Sequence, residues 1–276
     1  MTSSNHGIAQ SSAPSTAAPN EVTAAPIDDR AAGLVEYVEP ERQPGGSWPA
    51  SQSAPLSVLI PARNEQKNIV ECLRRLTWAE HVVVVDSSST DLTTPLAQAM
   101  GTEVFQFHYP PEGWPKKKNW ALENVPWRHE WLLIMDADER MTPELAAEIV
   151  GVCTGREMPG GADCEGYWLN RRFIFLGKWI EHCGFYPSWN VRLFKHRTGR
   201  YERIGHLSDT GSGDNEVHEH VVLSNVEEPG YLKNDFLHYA YPDLDSLIEK
   251  HTRYAAWEAH AMGAKYKGGI TPSLLG

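Results

Sequence analysis

A chain of 276 residues with 41% hydrophobic and 22% charged residues has material for one sizeable globular domain, with or without a small appendage. Its 36 acidic against 25 basic residues leave a net charge of -11. That balance excludes the broad basic face with which a general nucleic-acid binder meets phosphates, but not a small phosphorylated ligand held by local cations. No apolar run approaches the roughly 20 residues of a membrane-spanning helix, and the N-terminus lacks the basic-then-apolar pattern of a secretory signal. The four cysteines (Cys72, Cys153, Cys164, Cys183) form no CxxC pair and are expected to be reduced thiols of a cytoplasmic protein.

Residues 1–54 are rich in Ser, Ala, Pro, Thr and Gln, with six acids and two bases, and are expected to be a disordered tail. The pattern changes at Leu56. Leu56–Pro61 reads as an apolar strand, and Ile69, Cys72, Leu73 and Leu76 repeat at helical spacing. His81–Asp86 is nearly all valine, as in a strand covered on both faces. Helix Thr93–Met100, strand Thr102–Phe107, helix Lys117–Asn124, strand Trp131–Asp136 and a helix from Pro143 follow. Strands alternating with helices predict a doubly wound, mostly parallel α/β sheet over 55–150, with ligands at the strands' carboxyl ends. The half from 151 to 276 is aromatic-rich. Its expected strands are Gly166–Phe175, Asn190–Phe194, Val217–Leu223 and Tyr231–Tyr239, with a helix over Leu244–Met262.

Three strand ends carry polar chemistry. Asp136-Ala-Asp138 ends an apolar strand, where two carboxylates can share one cleft and hold Mg²⁺ or Mn²⁺; the plainer alternative is that Asp138 caps the next helix. Glu139 is expected to support them. Asp86-Ser-Ser-Ser-Thr-Asp91 either accepts from a base or ribose or makes an ordinary capped turn. Pro61-Ala-Arg-Asn-Glu65 offers Arg63 to a phosphate or base, or starts a helix with Asn64 as its cap. Lys116-Lys-Lys118 opens a helix ahead of the Asp136 strand and is either a solvated face or a place where a lysine neutralises a diphosphate. Val217-His-Glu-His220 alternates as a strand does, and His238 lies in a strand-like segment, where a lone histidine is more often a core residue than a ligand.

Together SVLIPARNE, VVVVDSSSTDLT, KKKNWALENV and WLLIMDADERMTPEL resemble the family 2 glycosyltransferases of GT-A (Rossmann-like) fold. RRFIFLGKWI, WNVRLFKHRTGRYE, VHEHV and LHYAYPDLDSLIEKHTRYA are similar to that family's lipopolysaccharide-core β-glucosyltransferase branch. The resemblance implies an inverting hexosyl transfer from a nucleotide-diphosphate sugar, by family habit a UDP-sugar, to a glycan or lipid-linked acceptor. It makes 55–150 the nucleotide-binding half and 151–276 the acceptor-side half. Pro61, Ala62, Arg63 and Glu65 would line the uridine end, Asp86 would meet the base, and Asp91 would support that loop. Lys118 would lie near the phosphates, Asp136 would face ribose or metal, and Asp138 would bind the Mn²⁺ or Mg²⁺ directly, with His238 a late metal or phosphate contact. Glu219 would be the catalytic base, with Glu216 in reserve. The QxxRW motif of processive synthases is absent. Where this sequence reads GGITPSLLG, relatives often continue into a membrane-associated segment; the resemblance implies a cytoplasmic protein, with a peripheral contact at the inner membrane face as a further expectation. The rivals are a DxD phosphatase, disfavoured by the strand–helix units that precede the motif, and a catalytically weak sugar-nucleotide or glycan-binding module.

Overall fold

Alternate residues of the first strands enter two different cores, which is why the helices lie on both faces of the sheet. In the computed structural model, which describes residues 53–110, 115–161, 163–202, 220–224, 228–252 and 255, β1 is Ala54–Ala62, β2 Ala79–Asp86, β3 Glu103–Gln106 and β4 Trp131–Ile134. Leu56, Val58 and Ile60 of β1 join one cluster with Ile69, Cys72, Leu73 and Leu76. Leu59 joins Val83, Val85, Leu132 and Ile134 in the other. Each fully buried aliphatic side chain contributes about 1.5–3 kcal/mol. The two-residue alternation therefore sets strand register strongly.

These four strands run parallel in the order β3-β2-β1-β4, joined by α1 (Ile69–Arg74), α2 (Thr93–Ala99) and α3 (Lys117–Asn124). The expected parallel sheet is thus present in the first half. Beyond β4 the sheet becomes mixed. β5 (Glu139–Arg140) and α4 (Pro143–Cys153) follow, then β6 (Gly166–Phe175), β7 (Lys178–Trp179), β8 (Asn190–Lys195), β9 (Gly199–Tyr201), β10 (Val221–Leu223) and β11 (Gly230–Tyr241). β8 pairs antiparallel with both β4 and β6, β11 runs parallel to β6, and β5 closes the order antiparallel to β11.

Short β5, β7 and β9 have no counterpart in the sequence reading, since two- and three-residue strands carry no periodicity. Residues 244–252 are helical, as expected for the start of the last helix. Most of the expected tail, the remainder of that last helix, and Glu216 and Glu219 lie outside the described residues. All four cysteines are free thiols. No described helix is long and apolar enough to cross a membrane.

Candidate functional site

The Asp136–Glu139 turn is tied from several sides. The Glu139 amide donates to the Asp136 carbonyl at 3.0 Å, and the Asp136 amide donates to Glu139 Oε2 at 2.9 Å. Glu139 is fully buried, and its Oε1 stands 3.5 Å from Arg192 Nη2 and 3.7 Å from Arg171 Nη1. It is the supporting group expected of it. Arg140 donates to the Ala137 carbonyl at 2.8 Å and to Asn68 Oδ1 at 2.9 Å; Asn68 in turn donates to Glu65 Oε2 at 2.9 Å. The Pro61–Glu65 loop is thereby joined to the turn.

Helix α4 is capped by Thr142, whose hydroxyl accepts the Leu145 amide at 3.3 Å, with Pro143 in its first turn. Asp138 is therefore not a helix cap. Asn64 is not one either: α1 begins after Asn68, and Asn64 takes the left-handed conformation (φ 56) that asparagine tolerates. There it accepts the Thr90 amide at 2.9 Å and clamps two loops together.

Strand β11 completes the site from the other half. His238 stands opposite Glu139 in the β5–β11 ladder, and the Tyr239 amide donates to the Asp138 carbonyl at 2.9 Å. This register places His238 Nε2 3.3 Å from Asp138 Oδ2. The other ring nitrogen, Nδ1, is buried and has no hydrogen-bond partner among the described residues. Among the described residues no three His, Cys, Asp or Glu side chains converge as a complete metal cage.

Burial by itself would push both aspartate carboxyls up. Arg192, at 2.7 Å from Asp136 Oδ2, and Lys118, at 3.6 Å from Oδ1, outweigh it and hold Asp136 well below the carboxylate range. His238 does the same, less strongly, for Asp138. At Glu65 the Asn68 hydrogen bond and the Lys250 charge are outweighed. Burial of Glu65, and then the nearby Asp138 charge, push it up to about 7. Lys117 and Lys118 are buried in the first turn of α3, where the helix dipole disfavours cations. Their placement there requires negative charge nearby.

These groups line a cavity of about 490 Å³. Lys118, Asp136, Asp138 and Arg192 supply charge and His238 an imidazole, Pro61, Arg63 and Glu65 lie along the first-strand end, and Trp168, Phe173 and Phe185 form an aromatic wall. Ala62, Asp86 and Asp91 are not on its wall. Asp86 accepts from the Ser89 amide at 2.9 Å and from the Ser89 hydroxyl; Asp91 accepts from the Gln66 and Thr93 amides at 3.1 and 3.0 Å. Both carboxylates shape loops here. Glu219 is outside the described residues, but the next two, His220 and Val221, line the cavity. The sequence reading missed Arg171 and Arg192. An arginine inside the apolar run Asn190–Lys195 was the available signal, because a charge in a buried strand requires a partner.

Residues 57–154 match the family described as Glycosyl transferase family 2. The chain is 27% identical over 209 residues to the Lipopolysaccharide core biosynthesis glycosyltransferase LpsC of Rhizobium meliloti (strain 1021), covering 74% of this chain and 70% of that protein. An uncharacterized glycosyltransferase of Rickettsia felis is 33% identical over 209 residues, covering 74% of this chain and 69% of the relative. The crystal structure of S. aureus TarS 1-349 in complex with UDP overlaps 51% of this chain and 46% of that one, at 20% identity and a TM-score of 0.38, too partial an overlap to carry a role across. With the strand order of the first half, the paired acids after β4 and relatives aligned across both halves, the chain belongs to glycosyltransferase family 2 and has its GT-A type of α/β sheet.

Proposed function

We propose that this glycosyltransferase moves a sugar from a nucleotide-diphosphate sugar, with uridine diphosphate as the nucleotide, to a saccharide acceptor of the cell envelope, by one inverting displacement. The observation that carries this reading is the convergence of Asp136, Asp138 and His238 with Lys118 and Arg192 on one cavity. The envelope acceptor rests on likeness to the lipopolysaccharide-core transferase, most of whose length the chain spans.

Asp138 and His238 fit a divalent ion. One hard oxygen and one imidazole nitrogen stand 3.3 Å apart, close to the roughly 3 Å between neighbouring ligands of an octahedral ion with 2.0–2.1 Å bonds. An incomplete protein cage suits Mg²⁺ or Mn²⁺, which leave positions to substrate phosphates and water. Bound there, the ion would neutralise charge growing on the diphosphate leaving group.

The chain's own groups do the rest. Arg192 and Lys118 keep Asp136 ionised, so it accepts hydrogen bonds from the donor's ribose. Arg63, exposed where the cavity meets β1, meets the base or a phosphate. Glu219 removes the acceptor hydroxyl proton; its place directly before the cavity-lining His220 supports this assignment. The family assignment removes the phosphatase rival. Turnover separates the enzyme from a binding module: UDP release from a UDP-sugar, dependent on Mn²⁺ and abolished in Asp138→Asn, is expected. Nucleotide binding without any release would contradict the proposal.

A further inference from the structure

Three aromatic rings lead from the cavity to the surface. Trp168 of β6 lines the cavity and is the Cα partner of Tyr231 on β11. Their rings stack at 6.2 Å with an interplanar angle of 18°. Trp189, just before β8, meets Tyr231 edge-on at 5.2 Å and 88°. Tyr231 is 50% exposed and Trp189 36%. Single exposed apolar residues are ordinary, but here two large rings support each other in water and continue directly into a substrate cavity.

Polar groups border these rings. Asn190 follows Trp189 and lines the cavity, with its amide nitrogen donating to the Ser188 carbonyl at 3.3 Å. Arg171 lines the same wall and donates to Ser188 Oγ at 3.0 Å. An aromatic face beside amide and guanidinium groups suits a sugar ring, which offers C–H bonds on its flat face and hydroxyls at its edge. An acyl chain would need a closed apolar trough, whereas among the described residues these rings are bordered by the polar groups of Asn190, Arg171 and Ser188.

We propose that Trp168, Tyr231 and Trp189 form a subsite for an acceptor ring beyond the one that receives the sugar, so that the acceptor is an oligosaccharide of at least two rings. The inference rests on the glycosyltransferase reading above and extends it to the acceptor's size. The test is binding of lipid-free bacterial saccharides of one to four rings to the full chain, with UDP plus Mn²⁺ and phosphatidylglycerol vesicles titrated in parallel. Wild type should favour saccharides of two or more rings. The variant carrying both Trp189→Ala and Tyr231→Ala should lose at least about tenfold of that affinity, in line with the worth of an aromatic contact. The variant with Trp189→Phe and Tyr231→Phe should keep most of it, and UDP binding should be equal in all three. Unchanged saccharide affinity in the alanine variant, no preference for length, no saccharide binding at all, or binding to vesicles alone would each overturn the subsite. Loss of UDP binding by wild type, with the saccharide result intact, would overturn the donor reading instead.

Discussion

The sheet changes character between β4 and β8. On one side β3, β2, β1 and β4 run parallel with both faces covered, and their polar work is done by loops beyond the strand ends. On the other, β6, β8 and β11 present cavity-lining side chains from within the strands: Trp168, Arg171, Arg192 and His238. The first half presents acids at strand ends with Lys118 beside them, and the second lends Arg192 and the imidazole of His238. The two are interdependent, because Asp136 without Arg192 is a carboxylate losing its closest counter-charge.

Catalysis tests this division most strongly. Glu219→Gln, a change in the second half, should lower turnover by roughly 10²–10⁴-fold while leaving UDP affinity in place, as loss of a positioned base does. Steady-state kinetics with parallel calorimetry reads both. Glu216→Gln is the control, because Glu216 is the reserve candidate for the base. Loss of turnover in Glu216→Gln alone would move the base by three residues.

Next in size is the charge exchange across β4 and β8. Arg192→Met keeps length and removes the cation shared by Asp136 and buried Glu139. It should destabilise the fold by roughly 3 kcal/mol in urea, the lower end for breaking a buried pair because Arg171 still stands near Glu139. A change under about 0.5 kcal/mol would mean that the halves are not coupled through this arginine.

The Pro61–Glu65 loop gives a smaller, pH-dependent effect. Glu65 is raised from 4.5 to about 7 in the folded protein, so between those values the native state holds a proton that the unfolded chain has released. Stability of the metal-free protein should therefore fall as pH rises from 4.5 to 7, by at most about 1.4 kcal/mol per pH unit from this group. Glu65→Gln should flatten that slope. The depressed Asp136 acts in a different window, below its ordinary 3.8, where protonation removes its stabilising pairs. Smallest of all is the tail: a chain starting at Ser53 should keep its unfolding free energy within about 0.5 kcal/mol, as surface changes usually do.

The first half was legible because its physics is local. The valines of β2, the Ile69–Leu76 stripe and the acids after β4 each announce themselves within a few residues. The α3 boundaries, Lys117–Asn124, agree with the expected ones. The second half depends on distant pairing. Nothing around Glu139 and Arg140 predicts a two-residue strand, yet that strand brings His238 to Asp138. The sequence reading named His238 through family likeness, and its bottom-up alternative was a core residue. Arg171 and Arg192 were passed over because their partners lie 32 and 56 residues away, at Glu139 and Asp136. Tyr231 escaped notice for a similar reason, since its meaning comes from Trp168 across the ladder.

The measurement that bears most directly on the joined site is calorimetric titration of UDP into wild type and Asp138→Asn, each with Mn²⁺ and with EDTA. Tight binding is expected only for wild type with Mn²⁺, with Asp138→Asn in Mn²⁺ falling to the EDTA level while its thermal unfolding stays cooperative. Equal UDP affinity in all four titrations would contradict a metal–diphosphate site built on Asp138.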